Sequence, residues 1–321
     1  MNLIIWFSFL LSLTLMIMIA RKSIWLGFIV GALVLGVFNL SFKEILVQIQ
    51  NTITDPSILL LALAVGLIPL IGGALEVSGL MDDLVNNLKM KRKSFLMFGP
   101  AFLGMLPMPG GALLSAPLVF RVGLDISDDK YTAINVWFRH TLILIYPLGA
   151  LLVTTKMANL NLYTAMLYLI PGFILMIVLG YILLLKGIKG NLQNNNKSNI
   201  KKLLVPVGII LSAPIIHIIL MSIFNPPDPI LSGLRLGAGG PEIPLLVGVL
   251  TSLILAFFFG KLDFKEIIPI SIKMKPWKFF LIIIGMFLFL NIFQASNISK
   301  VLADIVSVSY THLTLPTICS V

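Results

Sequence analysis

Apolar residues run along this chain in blocks, and a helix needs roughly 20 of them to cross ~30 Å of hydrocarbon. Blocks of that order lie at about 2–20, 24–40, 58–80, 138–155, 162–185, 203–224, 244–260 and 277–296, and they predict spanning helices. Polar and amphipathic stretches separate them. SFKEILVQIQNTITDPS joins the second block to the third, and a short amphipathic piece ends in KMKRK at 89–93. Residues 95–120 are apolar but broken in the middle by LPMPGGA. The loop KGIKGNLQNNNKSNIKK fills 186–202, and an amphipathic piece covers 297–306. The pattern predicts an all-α polytopic membrane protein.

Composition agrees. Of 321 residues, 58% are hydrophobic and only 11% are charged, against about a quarter in a soluble domain. Mean hydropathy is +1.04. The first block is not followed by a small-residue cleavage site, so it reads as a retained helix rather than a signal peptide. The net charge of +10 follows from basic loops, and no nucleic-acid motif accompanies it.

Those basic loops set the expected orientation, with Lys and Arg on the cytoplasmic side of an inner (plasma) membrane. Arg21 and Lys22, the 89–93 cluster, the 186–202 loop and the Lys261 to Lys278 stretch are all expected inside. Counting crossings back from residue 186 places residues 121–137 inside as well. Segment 95–120 then begins and ends on one side and is expected to be a re-entrant helical hairpin. Its two arms have about a dozen residues each, ~16–18 Å of helix, enough for half a bilayer.

A repeat becomes visible in the same frame. LSFKEI at 40–45 recurs as LDFKEI at 262–267, each copy between two spans and followed by a short amphipathic helix. The first copy falls outside and the second inside, so the repeats are expected to be inverted, as in secondary transporters. The expected division is a first repeat over 1–185 with five spans plus the hairpin, the cytoplasmic loop 186–202, and an incomplete second repeat over 203–306 with three spans. Residues 308–317, VSYTHLTLPT, back-translate into a sequencing-library adapter, so 307–321 is expected to be a foreign tail. His312 and the single cysteine, Cys319, are then without meaning.

The break in the hairpin carries the most plausible chemistry. Pro107 and Pro109 end the first arm, because proline has no N–H and crowds the preceding turn. Gly110 and Gly111 open backbone angles closed to other residues and leave the backbone bare to a ligand. A second arm starting near Ala112 would point its unpaired N–H groups and its positive dipole end at mid-membrane, where an anion can accept them. Ser115 could add a hydroxyl. A plain kink in a buried helix is the structural alternative. Arg139 and His140 open the fourth span in NVWFRHTLILIYPLG, which carries a second break at Tyr146-Pro147-Leu148-Gly149. The arginine can serve as counter-charge to an anion and the histidine as proton carrier. Equally, Arg139 can snorkel and pair with Asp128 or Asp129. Glu76 is a weaker cation or proton candidate, His217 reads as a packed or hydrogen-bonded residue, and Arg235 and Glu242 read as outer-loop residues. Tryptophans 6, 25, 137 and 277 read as interfacial anchors.

LPMPGGALLSAPLV together with NVWFRHTLILIYPLG resembles the uncharacterised membrane family called domain of unknown function 401. That family is similar in architecture to the ion-transporter superfamily, with its citrate, gluconate, dicarboxylate and arsenite carriers. The resemblance covers 1–306 and implies two inverted repeats, each with a re-entrant hairpin, and a substrate held between hairpin tips and broken spans. The half-site it implies here is Pro107, Pro109, Gly110, Gly111, Ala112, Ser115, Arg139 and His140. The expected function is a secondary active transporter for a small, anionic organic solute, coupled to H+ or Na+, with no other cofactor and no metal site. Its partners are the lipid bilayer and the solute, and a homodimer is compatible with the pattern. The alternative is an accessory or structural membrane subunit. A membrane-embedded enzyme would need a carboxylate pair or an HExxH motif in the spans, and neither is there.

Overall fold

The computed structural model describes residues 2–87, 91–105, 126–147, 150–158, 160–188, 199–224, 242–296, 298 and 301. These are helical throughout, with no strand among the described residues. In chain order the helices are α1 (Asn2–Ala20), α2 (Ile24–Asn39), α3 (Phe42–Thr54), α4 (Pro56–Val77), α5 (Leu80–Asn87), α6 (Arg92–Gly104) and α7 (Asp128–Thr141). They continue as α8 (Ala150–Met157), α9 (Leu162–Gly180, prolonged by a π-helical turn at Tyr181–Leu185), α10 (Ile200–Phe224), α11 (Glu242–Gly260), α12 (Ile267–Met274) and α13 (Pro276–Ala295).

Among the described residues, five segments are long and apolar enough to cross a membrane: Pro56–Val77, Leu162–Leu185, Ile200–Met221, Glu242–Gly260 and Pro276–Ala295. Ile4–Ala20 and Ile24–Asn39 are shorter apolar helices. The apolar window of α4 is 78% buried and that of α9 only 6%. The first is a core helix. The second presents its leucines and isoleucines outward, which is stable only against lipid or another protein.

The fourth expected span is not one helix. α7 begins at Asp128, ten residues earlier than expected, with Asp128 and Asp129 in its first turn, where carboxylates suit the helix dipole. A 3-10 turn at Leu142–Leu144 follows, and the helix stops at Tyr146-Pro147 before α8 begins at Ala150. The proline explains the break. The six hairpin residues from Pro107 to Ser115, Arg235, and the tail 307–321 lie outside the described residues.

The chain divides into two compact units, residues 1–62 with 281–321, and residues 63–280. In the first unit α1 and α2 pack without a gap. A Cβ on Gly27 would lie 2.7 Å from the Met16 carbonyl oxygen, and the Ser12 hydroxyl donates to the Gly31 carbonyl at 2.7 Å. Ala32, Leu35, Leu288 and Ile292 form its core, and Asn291 Nδ2 donates to Thr52 Oγ1 at 2.9 Å. α3 starts at a capping box: the Ser41 side chain accepts from the Glu44 N–H, and the Glu44 carboxylate accepts from the Ser41 N–H at 2.7 Å. That exchange holds the Glu44 carboxyl below the usual carboxylate range.

In the second unit one end gathers the lysine-rich segments. Asn199 N–H donates to Asn87 Oδ1 at 2.8 Å, and Lys202 pairs with Asp83 at 3.0 Å, so α5 ends where α10 begins. Leu96, Ile134, Phe138, Leu185 and Ile188 form one buried cluster, with Met97, Ile126 and Tyr131 against it. The first turns of α6 and the first turns of α7 therefore lie together beside the 185–188 turn. Trp137, expected as an interfacial anchor, is partly buried. Its indole N–H donates to the Met176 carbonyl at 2.9 Å, over Gly180, where a Cβ would lie 2.6 Å from that nitrogen.

Candidate functional site

Of the expected site residues, Arg139 and His140 are described, and both sit on the last turn of α7. That turn meets the end of α6. Gly104 rests so closely on Arg139 that a Cβ there would overlap the Arg139 carbonyl oxygen and lie 2.9 Å from its Cγ. Only glycine lets the two helices approach this far. Leu96 of α6 belongs to the buried cluster that also holds Ile134 and Phe138 of α7.

Arg139 is half-buried, and its Nη1 is buried with no hydrogen-bond partner among the described residues. Asp128 lies eleven residues back on the same helix, ~16 Å along the axis, too far to reach within α7. Among the described residues Arg139 forms no ion pair. One turn before it, Asn135 is 6% exposed, and its Oδ1 is likewise buried without a partner among the described residues. An i, i+4 pair lies on one helix face, so an acceptor and a cationic donor sit next to each other on α7. Sequence reasoning passed over Asn135. The legible signal was its spacing of four from Arg139 on an otherwise apolar face.

His140 goes elsewhere. It is exposed, with Nδ1 2.7 Å from the Val136 carbonyl of its own helix, and it is turned ~100° from Arg139 around the axis. The structure therefore does not bring His140 to the buried face that carries Asn135. Glu76 pairs with Lys273 at 2.9 Å, an ordinary partly exposed ion pair, where a cation site had been a weaker expectation. Glu242 corrects an expectation more sharply. It is no loop residue but the first residue of α11, 1% exposed and paired with Lys156. His217 is 1% exposed and 2.6 Å from the Tyr163 hydroxyl, in keeping with a hydrogen-bonded core residue.

A cavity at the C-terminal end of α11 is lined by Leu253, Phe257, Phe258, Phe264 and Ile267, with Lys261 as its one charge. It is apolar and far along the chain from the α6–α7 contact, so it offers no set of donors for an anion. Among the described residues no cluster of His, Cys, Asp and Glu could hold a metal ion. What the α6–α7 contact offers is a half-buried guanidinium beside Gly104, with its Nη1 buried. A guanidinium can bind a carboxylate or another small oxyanion.

No curated protein and no solved structure matches the chain. A family model does, over residues 3–317, which takes in α1 to α13 and the α6–α7 contact alike. The chain belongs to the family described as protein of unknown function (DUF401).

Proposed function

We propose that the protein is a secondary active transporter for a small organic anion such as a carboxylate. The observation that carries this reading is the seating of Gly104 on Arg139. Pro107 follows Gly104 by three residues, and three residues of chain reach at most ~11 Å. The PMPGG string thus begins three residues after the glycine that touches a half-buried arginine, which makes no ion pair among the described residues. A charged group on a membrane helix costs several kcal/mol unless something compensates it, and an anionic solute would do so. In this half-site Arg139 supplies the counter-charge, Gly110, Gly111 and Ala112 supply backbone N–H groups, and Asn135 and Ser115 add polar contacts. A proton or sodium ion would move with the solute, because a bare charge works against the membrane potential at ~2.3 kcal/mol per 100 mV.

Two further observations support the architecture. Leu96, near the start of α6, shares one buried cluster with Ile134 and Phe138 of α7 and with Leu185 and Ile188. That supports a re-entrant hairpin with α6 as a first arm of 13 residues, ~20 Å. The second observation bears on the inverted repeat. The order α1, α2, α3, α4 is matched by α10, α11, α12, α13, with the two FKEI copies at the same place in each. Each copy's first two helices close on a glycine set against a carbonyl. Gly27 meets Met16 thirteen residues before Leu40, and Gly248 meets Ala213 fourteen before Leu262. A serine hydroxyl bridges each pair as well, Ser12 to Gly31 and Ser252 to Ile209.

The reading favours the inner membrane of the cell, with the lysine-rich end of residues 63–280 in the cytoplasm. An accessory subunit remains the second reading, but it leaves the buried arginine unexplained. The test is uptake of labelled carboxylates into proteoliposomes by a family member that carries both hairpins. Arg139→Leu should abolish uptake and Arg139→Lys should restore part of it. Equal uptake by wild type and Arg139→Leu would reject the site.

A further inference from the structure

A second polar cluster lies at the other end of residues 63–280 from the Lys202–Asp83 pair. Four helices bring one chemical group each. Lys156 is in the last turn of α8, Tyr163 in the first turn of α9, His217 late in α10, and Glu242 opens α11. The α8–α9 connection is short, so Lys156 and Tyr163 share the tip of one helical hairpin.

The α10–α11 register places the other two side by side. Ser252 Oγ donates to the Ile209 carbonyl at 2.7 Å, and a Cβ on Gly248 would lie 2.5 Å from the Ala213 carbonyl oxygen. Four residues along one antiparallel helix match four back along the other. His217 therefore falls level with Pro244, and Glu242 lies two residues, ~3 Å of axial rise, further on. His217 follows Ala213 by four residues and so keeps to the face that α10 turns toward α11. Glu242 belongs to the buried stripe of α11 with Leu245, Val249 and Ser252. The two direct contacts then tie the hairpins together: Lys156 Nζ to Glu242 Oε1, and the Tyr163 hydroxyl to His217 Nδ1 at 2.6 Å, with the two rings stacked at 5.8 Å.

We infer that His217 is a proton-binding site of the protein, with Glu242 as the carboxylate that its charged form shares with Lys156. The inference rests on the transport reading only for its purpose, since a proton bound here would be the ion that accompanies the anion. The neutral ring accepts the Tyr163 hydroxyl hydrogen at Nδ1. On protonation the Tyr163 oxygen gives that hydrogen to Nδ1 and takes one from water, so one proton is gained and tyrosine stays neutral. Tyr163 is only partly buried and supplies the path from water. The imidazolium then stands level with a carboxylate that is 2% exposed, while Lys156, at 29%, can yield toward solvent. A buried carboxylate with two competing cations gives two arrangements of one cluster. One is Lys156–Glu242 latched with His217 neutral, and the other is His217 charged with Lys156 relaxed.

The remaining titratable groups packed on α10 do not compete. Among the described residues the Tyr146 hydroxyl donates to the Ile210 carbonyl, about ten ångströms of axial rise away from His217. Asp83 pairs with Lys202 at the far end of α10, and Lys201 and Asn87 lie there too.

The test uses the full chain in nanodiscs with 15N-labelled imidazoles and no solute, in a His140→Gln, His312→Gln background so that only His217 reports. One titration between pH 5 and 8.5 is expected. Glu242→Gln should weaken proton affinity about tenfold or more, and Lys156→Gln should strengthen it, because an opposite charge within a few ångströms shifts a titration by a unit or more. If one single variant fails to fold, the other carries the test, since each has its own sign. A ring that never titrates in this range, or a midpoint unmoved by these variants, overturns the proton site. The transport reading falls separately: a titrating His217 in a protein that takes up no anion would leave this site standing and that function rejected.

Discussion

The α6–α7 contact and the α10–α11 contact are built by the same device and finished differently. In each, a glycine rests on a carbonyl of the facing helix, Gly104 on Arg139 and Gly248 on Ala213. Along α10–α11 each nearby polar side chain has at least one partner: Ser252 has Ile209, Glu242 has Lys156, and His217 has Tyr163. Along α6–α7 the Asn135 Oδ1 and the Arg139 Nη1 are buried without partners among the described residues. Close packing alone therefore does not mark a site. Close packing around polar atoms left open does, because leaving such atoms buried costs ~1–3 kcal/mol each and more for a charge. One contact reads as structure that can titrate, the other as structure that waits for a ligand.

The largest expected effect breaks the comparison at its charged residues. Glu242→Gln leaves the partly exposed Lys156 without its carboxylate and should destabilise the protein by about 3 kcal/mol, at the low end for a buried pair. Arg139→Leu should have the opposite sign without ligand, raising stability by roughly 1 kcal/mol, since it removes a half-buried charge with no ion pair among the described residues. Thermal unfolding in detergent checks both. Two destabilising results would mean that the α6–α7 contact is as satisfied as the other.

Next come the glycines. Gly248→Ala drives a methyl group into the Ala213 carbonyl and should cost about 1–3 kcal/mol. Gly208→Ala, on the same α10, meets nothing within 4 Å and should be neutral or gain up to ~1 kcal/mol from helix propensity. Parallel denaturation of the two variants checks the helix register on which the proton-site inference depends.

The smallest effect is at the α3 cap. Hydrogen bonds from Ser41 lower the folded-state titration of Glu44. Their contribution is present above the unfolded value and is lost as pH falls through the folded one, so it should vanish in mild acid. Glu44→Gln should remove that pH dependence and Ser41→Ala, which keeps the donating backbone N–H, only reduce it, with the helix content measured by circular dichroism nearly intact.

Much of this was readable from the chain. Apolar blocks located α1, α2, α4, α9, α10, α11 and α13 because lipid imposes length and hydrophobicity on each spanning helix. The break at Tyr146-Pro147 was legible as a proline within an apolar block. The start of α7 was not, because residues 128–137 are too polar to announce a buried helix and are held by packing on Leu96 and Leu185. Glu242 was misread for a related reason. A lone carboxylate after a Gly-Pro turn signals a loop, and the lysine that permits its burial lies 86 positions earlier. Local pattern carries the helices, and pairing over long separations decides which polar residues go inside.

The central claim is that the PMPGG string beside Arg139 holds the transported anion. The direct measurement is uptake of a labelled carboxylate by proteoliposomes of a family member with both hairpins, comparing wild type with Gly111→Leu at matched protein level. A leucine there would fill the space where the solute approaches the backbone and disfavour angles that glycine allows. Ser115→Ala serves as the mild control, near the 0.5–1.5 kcal/mol of one net hydrogen bond. Uptake lost in Gly111→Leu and reduced only several-fold in Ser115→Ala is the predicted result. Full uptake by Gly111→Leu would place the solute elsewhere and contradict the account.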